Sequence, residues 1–197
     1  MSNKLNDIVD NVHDYGINVS TKTTWVDGEI DAAQSARLSR NLSILDTNQN
    51  NKPITIILSS EGGCVKEGFR MYDRIKKCTN YVRIVVEGSA ESMACVILQA
   101  ADERVMDENS YLMVHTGVEA FAEDHPENVA RWKKKSDADG KRFEDILLSK
   151  IKEKKNRFSK NKLKELLKFD TILTPQESIN LGLVDRIGVK DSDGTST

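Results

Sequence analysis

Val82-Arg83-Ile84-Val85-Val86-Glu87-Gly88-Ser89-Ala90-Glu91-Ser92-Met93-Ala94-Cys95-Val96-Ile97-Leu98 runs from a β-branched segment through small residues into a second apolar segment. The first part, Val82 to Val86, reads as a buried strand. The last, Cys95 to Leu98, reads as a helix packed behind it, with a turn from Gly88 to Ala94. A turn of small residues at a strand-to-helix junction exposes the hydroxyl of Ser92 beside the first backbone N–H groups of the helix. The preceding stretch repeats the pattern. Ile54-Thr55-Ile56-Ile57-Leu58 reads as a strand with both faces covered, and Ser59-Ser60-Glu61-Gly62-Gly63 ends it. Val65, Phe69, Tyr72 and Ile75 then fall at helical spacing. Two such units in tandem predict an α/β fold with right-handed crossovers.

Outward from this centre, Arg104 to Met106 and Tyr111 to His115 are expected as two short strands around the turn Asp107 to Ser110. His125-Pro126-Glu127 opens a highly charged helix to about residue 156, with a sparse apolar stripe and Gly140 as a place where it could kink. Asp31, Ser159 and Thr174 are positioned as helix caps, the last with Pro175 and Glu177 behind it, and Gly182 ends that helix. Residues 1–20 are expected to form an N-terminal arm and 191–197 a disordered tail, leaving one domain over 21–190.

Lysine and arginine number 29 against 31 aspartates and glutamates, a net charge of −2, so the overall balance favours neither nucleic acid nor an anionic membrane. No run approaches the roughly 18 apolar residues of a membrane span. The first residues lack a secretory core, so a cytoplasmic location is expected. Cys64, Cys78 and Cys95 are odd in number and have no C-x-x-C spacing, which fits neither a disulfide framework nor zinc. They are expected as small buried hydrophobes, and no metal or organic cofactor is expected.

A serine hydroxyl is a weak nucleophile that needs a base in hydrogen-bond reach. Of the three histidines, His13 in the arm and His125 before Pro126 are expected at the surface, whereas His115 ends an apolar strand, where an imidazole needs a partner. A carboxylate must orient that base, and Asp102, Asp107, Asp170 and Asp185 are the candidates. Asp170 is favoured, since Phe169 and Thr171-Ile172-Leu173 surround it and predict partial burial. The oxyanion of a tetrahedral intermediate needs two N–H donors. Met93 supplies one, and the Gly62-Gly63 strand end meets the need for the other. These pieces point to acyl transfer and peptide-bond hydrolysis.

The ordered set Leu58 to Gly63, Gly88 to Ala94, Met113-Val114-His115, Asp170 to Thr174 and Gly182 to Asp185 resembles the ClpP family of proteolytic subunits, from about residue 22 to 188. The resemblance implies the ClpP/crotonase-like fold of repeated ββα units, with the charged segment (about 126–156) as a protruding handle helix. It carries nucleophile, base and acid onto Ser92, His115 and Asp170, and the oxyanion donors onto Gly63 and Met93. An extended peptide would lie along Gly62, Cys64, Val65, Thr116 and Gly117. It also implies a heptameric ring, possible stacking into a tetradecamer, and unfolded protein fed by an AAA+ unfoldase. Where the family usually has Asn-Ser-Pro-Gly-Gly, this chain has Ser59-Ser60-Glu61-Gly62-Gly63. Glu91 replaces an alanine, and Phe169 an arginine that bridges rings. These departures motivate one alternative, a catalytically silent ring subunit; a second, within the same chemistry, is a maturation protease working without an unfoldase, as in virus capsid assembly.

Overall fold

The computed structural model describes residues 11–47, 52–117 and 125–188. The strands are β1 (Ile17–Asn18), β2 (Thr23–Asp27), β3 (Ile54–Ser60), β4 (Val82–Glu91), β5 (Glu103–Met106), β6 (Tyr111–Val114), β7 (Thr171–Leu173) and β8 (Arg186–Ile187). The helices are α1 (Ala32–Leu45), α2 (Val65–Lys76), α3 (Met93–Leu98), α4 (Pro126–Lys154), α5 (Lys160–Leu167) and α6 (Pro175–Leu181). The sheet runs β1-β2-β3-β4-β5-β8, with β6 on the far half of β4 and β7 outside β6.

The two β-branched runs form the parallel centre, Ile54 to Leu58 pairing with Val82 to Val86. Ile54, Ile56 and Leu58 are fully buried with Ile84 and Val86, and α1, α2 and α3 supply Leu38, Leu42, Met71 and Ile97 to the same core. Burial along β3 alternates strictly, with Thr55, Ile57 and Ser59 half-buried. The expectation that both faces are covered therefore holds for one face only.

β4 is longer than the sequence reading predicts. Of the expected turn from Gly88 to Ala94, Gly88 to Glu91 are small or polar yet continue the strand. The register with β3 slips between Leu58 and Ser60, so that Ser60 pairs with Ala90. This bulge bends β4 and divides its far edge. Arg83 to Val86 pair with β5, whereas Ser89 to Glu91 pair with β6. The strand thus ends in a small second ladder, β4-β6-β7, that holds the junction at Ser92.

The caps behave as the side chains dictate. Asp31 accepts from Gln34 N–H, Ser159 from Lys162 N–H, and Thr174 and Glu177 form a reciprocal capping box. Residues 11–15 are helical, and Ile17, only 4% exposed, belongs to the core. The sheet therefore begins inside the segment expected as an arm. The expected tail lies outside the described residues. α4 runs 29 residues, about 44 Å, unbroken through Gly140. It buries only Asp139, Leu147 and Ile151, so its first half stands clear of the body.

One ionic network ties the site's helix to the end of the fold. The Arg104 guanidinium, 7% exposed, donates to Asp185 Oδ1 (2.6 Å) and Oδ2 (3.1 Å), Gln99 Oε1 (2.8 Å) and the Gly182 carbonyl (3.0 Å). Asp185→Asn leaves that cation without its counter-ion. The expected loss is about 2 kcal/mol by urea unfolding at pH 7, less than for a fully buried pair because water reaches Asp185. Burial opposes ionisation of Asp185, but the Arg104 hydrogen bonds outweigh it and hold the carboxyl below its ordinary value. Glu103, also opposed by burial, is lowered in the same way between Arg83 and Arg186, each at 2.6 Å. Groups with a lower pKa folded than unfolded contribute their full stability above about pH 5 and lose it as pH falls through the folded values. The urea midpoint is therefore expected to be flat above that pH and to fall below about pH 4, less steeply in Asp185→Asn.

Candidate active site

Ser92 sits between β4 and α3 at φ 51° and ψ −117°, a conformation that costs a non-glycine residue on the order of 1–3 kcal/mol. Its neighbours over-determine it. The Ser92 N–H donates to the Met113 carbonyl (2.8 Å) at the end of β6, and its carbonyl accepts from Cys95 N–H (3.1 Å). Behind it Met93 is 2% exposed and packs against Gly68 of α2, where any Cβ would lie 3.2 Å from Met93 Cβ.

The β4-β6-β7 ladder brings distant residues together. Glu91 pairs with Met113 in parallel register, and Val114 pairs with Thr171 in antiparallel register. His115, one residue beyond β6, therefore lies opposite Asp170, one residue before β7. His115 Nε2 is 3.0 Å from Ser92 Oγ, and His115 Nδ1 is 3.1 Å from Asp170 Oδ1. A carboxylate facing Nδ1 places the ring proton there, which leaves Nε2 to accept from the serine hydroxyl. The Thr116 N–H donates to the Leu167 carbonyl (2.7 Å), fixing the chain just after the imidazole to α5.

Asp170 departs from expectation in one respect. Its side chain is 72% exposed, so it is not the partly buried acid anticipated. It precedes the short edge strand β7, and Phe169 beside it is 73% exposed. The other candidate acids are engaged elsewhere, Asp185 by Arg104 and Asp102 by Val82 N–H (2.8 Å). Asp107 follows β5, its N–H on the Val86 carbonyl. His13 and His125 are exposed, as expected.

The glycine pair closes the other side of the serine. Ile30 N–H donates to the Gly62 carbonyl (2.7 Å), and Cys64 N–H to the Ile30 carbonyl (2.8 Å). In this parallel bridge the N–H of Gly63 is directed away from Ile30. Gly62 approaches Ser92 closely: a Cβ there would lie 2.9 Å from Ser92 Cβ and 3.2 Å from Met93 N. Met93 begins α3, so its N–H has no carbonyl within the helix to bond. Gly62 is buried, Val65 half-buried, and Gly63, Cys64, Thr116 and Gly117 are exposed.

Cys64 thus contradicts the expectation that all three cysteines are buried. It precedes the outward first turn of α2. Cys78 is half-buried, and burial pushes its thiol up to about 11; Cys95 is buried, and burial pushes its thiol up to about 12.

The chain matches the family described as Clp protease over residues 10–191. It belongs to the Clp protease family. The ATP-dependent Clp protease proteolytic subunit 1 of Chlamydia abortus is 25% identical over 197 residues, covering 95% of this chain and 94% of that one. The corresponding subunit of Deinococcus radiodurans is 25% identical over 165 residues (83% and 78%), and subunit 1 of Protochlamydia amoebophila 28% over 99 residues (49% and 48%). Among solved structures, a point mutant of ClpP1 from Listeria monocytogenes superposes with a TM-score of 0.74 at 25% identity, covering 89% of this chain and 95% of that one. The ClpP-type α/β fold is therefore established, and α4 is its projecting helix.

One departure from the Clp protease pattern has a partner that the sequence did not reveal. Glu91 Oε1 accepts from Ser89 Oγ (3.0 Å) and from Tyr111 Oη (2.8 Å). Both donors lie one register step back along the ladder, so the carboxylate is drawn away from Ser92. Period-two alternation, which puts Tyr111, Met113 and His115 on one face, was the available signal. Glu61 is exposed. No helix among the described residues is long and apolar enough to cross a membrane.

Proposed function

We propose that this Clp-family chain is a serine endopeptidase in which Ser92 is the nucleophile, His115 the general base and Asp170 the group that orients it. The observation that carries this reading is the continuous contact Ser92 Oγ to His115 Nε2 (3.0 Å) and His115 Nδ1 to Asp170 (3.1 Å). Ser92 Oγ attacks the scissile carbonyl as its proton passes to His115 Nε2, and the imidazolium that forms is stabilised by Asp170. The Gly63 and Met93 N–H groups receive the oxyanion. His115 then protonates the leaving amine, and water releases the acyl-enzyme by the reverse path. An extended substrate pairs by its backbone beside Gly62, Cys64 and Val65 on one side and Thr116 and Gly117 on the other. The chemistry calls for no cofactor.

In keeping with relatives named as subunits of an ATP-dependent protease, the working form is a homo-oligomeric ring of the ClpP type in the cytoplasm, heptameric and able to stack. It degrades unfolded protein delivered by a separate AAA+ unfoldase. The decisive experiment is treatment with a fluorophosphonate probe, followed by mass mapping of the adduct. One adduct on Ser92, absent in Ser92→Ala, is expected. Labelling that persists in the variant overturns the nucleophile, and no labelling of the native oligomer favours the silent ring subunit.

A further inference from the structure

The pairing of β6 with β7 stops at Val114 and Thr171. His115 and Asp170 each lie one residue past that last rung, so the ladder alone does not fix the distance between their side chains. Asp170 ends a stretch of three exposed residues, Lys168, Phe169 and Asp170, which joins buried Leu167 to the three-residue strand β7. That strand pairs with β6 only.

The end of α5 supplies what the ladder lacks. The last carbonyls of a helix have no donor within it and are met from outside. In α5 the Leu167 carbonyl accepts from the Thr116 N–H (2.7 Å), and the Leu166 carbonyl accepts from the Thr171 hydroxyl (2.6 Å). The first donor belongs to the residue after His115, and the second to the residue after Asp170. Consecutive carbonyls of one helix therefore hold the two segments that carry the imidazole and the carboxylate. α5 is itself well fixed. Ser159 caps it, Lys160 bridges to Glu144 (3.0 Å) and Asp145 (3.4 Å) of α4, and Leu163 and Leu167 are buried in the core.

We propose, on the assignment of Ser92, His115 and Asp170 made above, that Thr171 is a positioning residue whose hydroxyl, bonded to the Leu166 carbonyl, holds Asp170 against His115 Nδ1. The Asp170 side chain is exposed, so packing does not locate it, and the backbone that carries it has to. The Thr171 hydroxyl also lies 3.4 Å from the Phe169 carbonyl, so it spans the turn on which Asp170 rides. Threonine suits the task. Two branches on Cβ restrict its χ1, which keeps the hydroxyl aimed at α5, and the same branching favours a strand.

Thr171→Val keeps the branched shape and the strand preference and removes only the donor. Assayed in the full chain's native oligomer with a small fluorogenic peptide, it should lower kcat about 5- to 10-fold, less than Asp170→Asn at its upper limit, and leave KM unchanged. Thr171→Ser keeps a donor and should return kcat to within about twofold of native. The deciding measurement is the double-mutant cycle with Asp170→Asn. Once the carboxylate is gone there is no charge to position, so adding Thr171→Val should change kcat by less than about twofold. Thr171→Ala, a second variant without the donor, should repeat both results. Thr24→Val removes a comparable bond, from β2 to the Gly16 carbonyl (2.8 Å), and should lower Tm without altering kcat. Circular dichroism verifies folding of each variant. Native kcat in Thr171→Val, no recovery in Thr171→Ser, a raised KM in place of a lowered kcat, or equal losses with and without the Asp170 carboxylate would overturn the role of Thr171 and leave the triad standing. Activity that survives Ser92→Ala and His115→Ala would overturn the triad, and the role of Thr171 with it.

Discussion

Ser92→Ala and His115→Ala should each lower kcat/KM for a small fluorogenic peptide by roughly 10⁴-fold or more, whereas Asp170→Asn should cost only about 10- to 100-fold. In the proposed mechanism the first two remove the groups that attack the substrate and move its protons, and no neighbour replaces them. The oxyanion donors alone then provide the residual rate. Asp170 acts differently. In the proposed mechanism it holds the Nδ1–H tautomer of His115 and stabilises the imidazolium, and its worth depends on how far water is excluded. In familiar triads the acid is buried, and its loss rivals that of the base. Here the carboxylate is 72% exposed, so water screens its field and can also accept from Nδ1. A loss for Asp170→Asn equal to that for His115→Ala would contradict this ranking.

The fold and the setting of Ser92 were legible because both are local. The β-branched runs at Ile54 and Val82 and the small-to-apolar step at Ser92 state strand, junction and helix within a few residues. The helix caps at Asp31, Ser159 and Thr174 are local too. The ladder β4-β6-β7 was not legible. Its strands are short, and its pairings span Glu91 to Met113 and Val114 to Thr171, so no periodicity within one segment reports them. That is why Gly88 to Glu91 read as part of a turn, and why Asp170 was favoured on an argument from burial that the structure does not support. Antiparallel register, not burial, puts Asp170 beside His115. Cys64 was misjudged for a related reason: composition places it among small apolar neighbours, but the start of α2 turns it outward.

Gly62→Ala should combine a loss of stability with a loss of turnover that a matched substitution does not share. Gly62 has φ 92°, where an alanine is strained whatever the surrounding space. Gly28 has φ 76° and open space, with nothing within 4 Å of an added Cβ. Gly28→Ala is therefore expected to lower Tm by about 2–4 °C through backbone strain alone and to leave kcat/KM unchanged. At Gly62 the added Cβ would meet Glu91 O at 2.8 Å, Ser92 Cβ at 2.9 Å and Met93 N at 3.2 Å. Two of these are backbone atoms, and the third is on a side chain already held by His115. None can swing aside as the tip of a long side chain would. The junction itself has to move, taking Ser92 Oγ and the Met93 N–H with it. A displacement approaching 1 Å at the reacting atoms costs on the order of 10²-fold, so kcat/KM should fall by about that factor with Tm lowered beyond the Gly28→Ala value. Retention of full peptidase activity by Gly62→Ala, with Tm lowered only as in Gly28→Ala, would mean that the reacting geometry is not set where β3 passes Ser92.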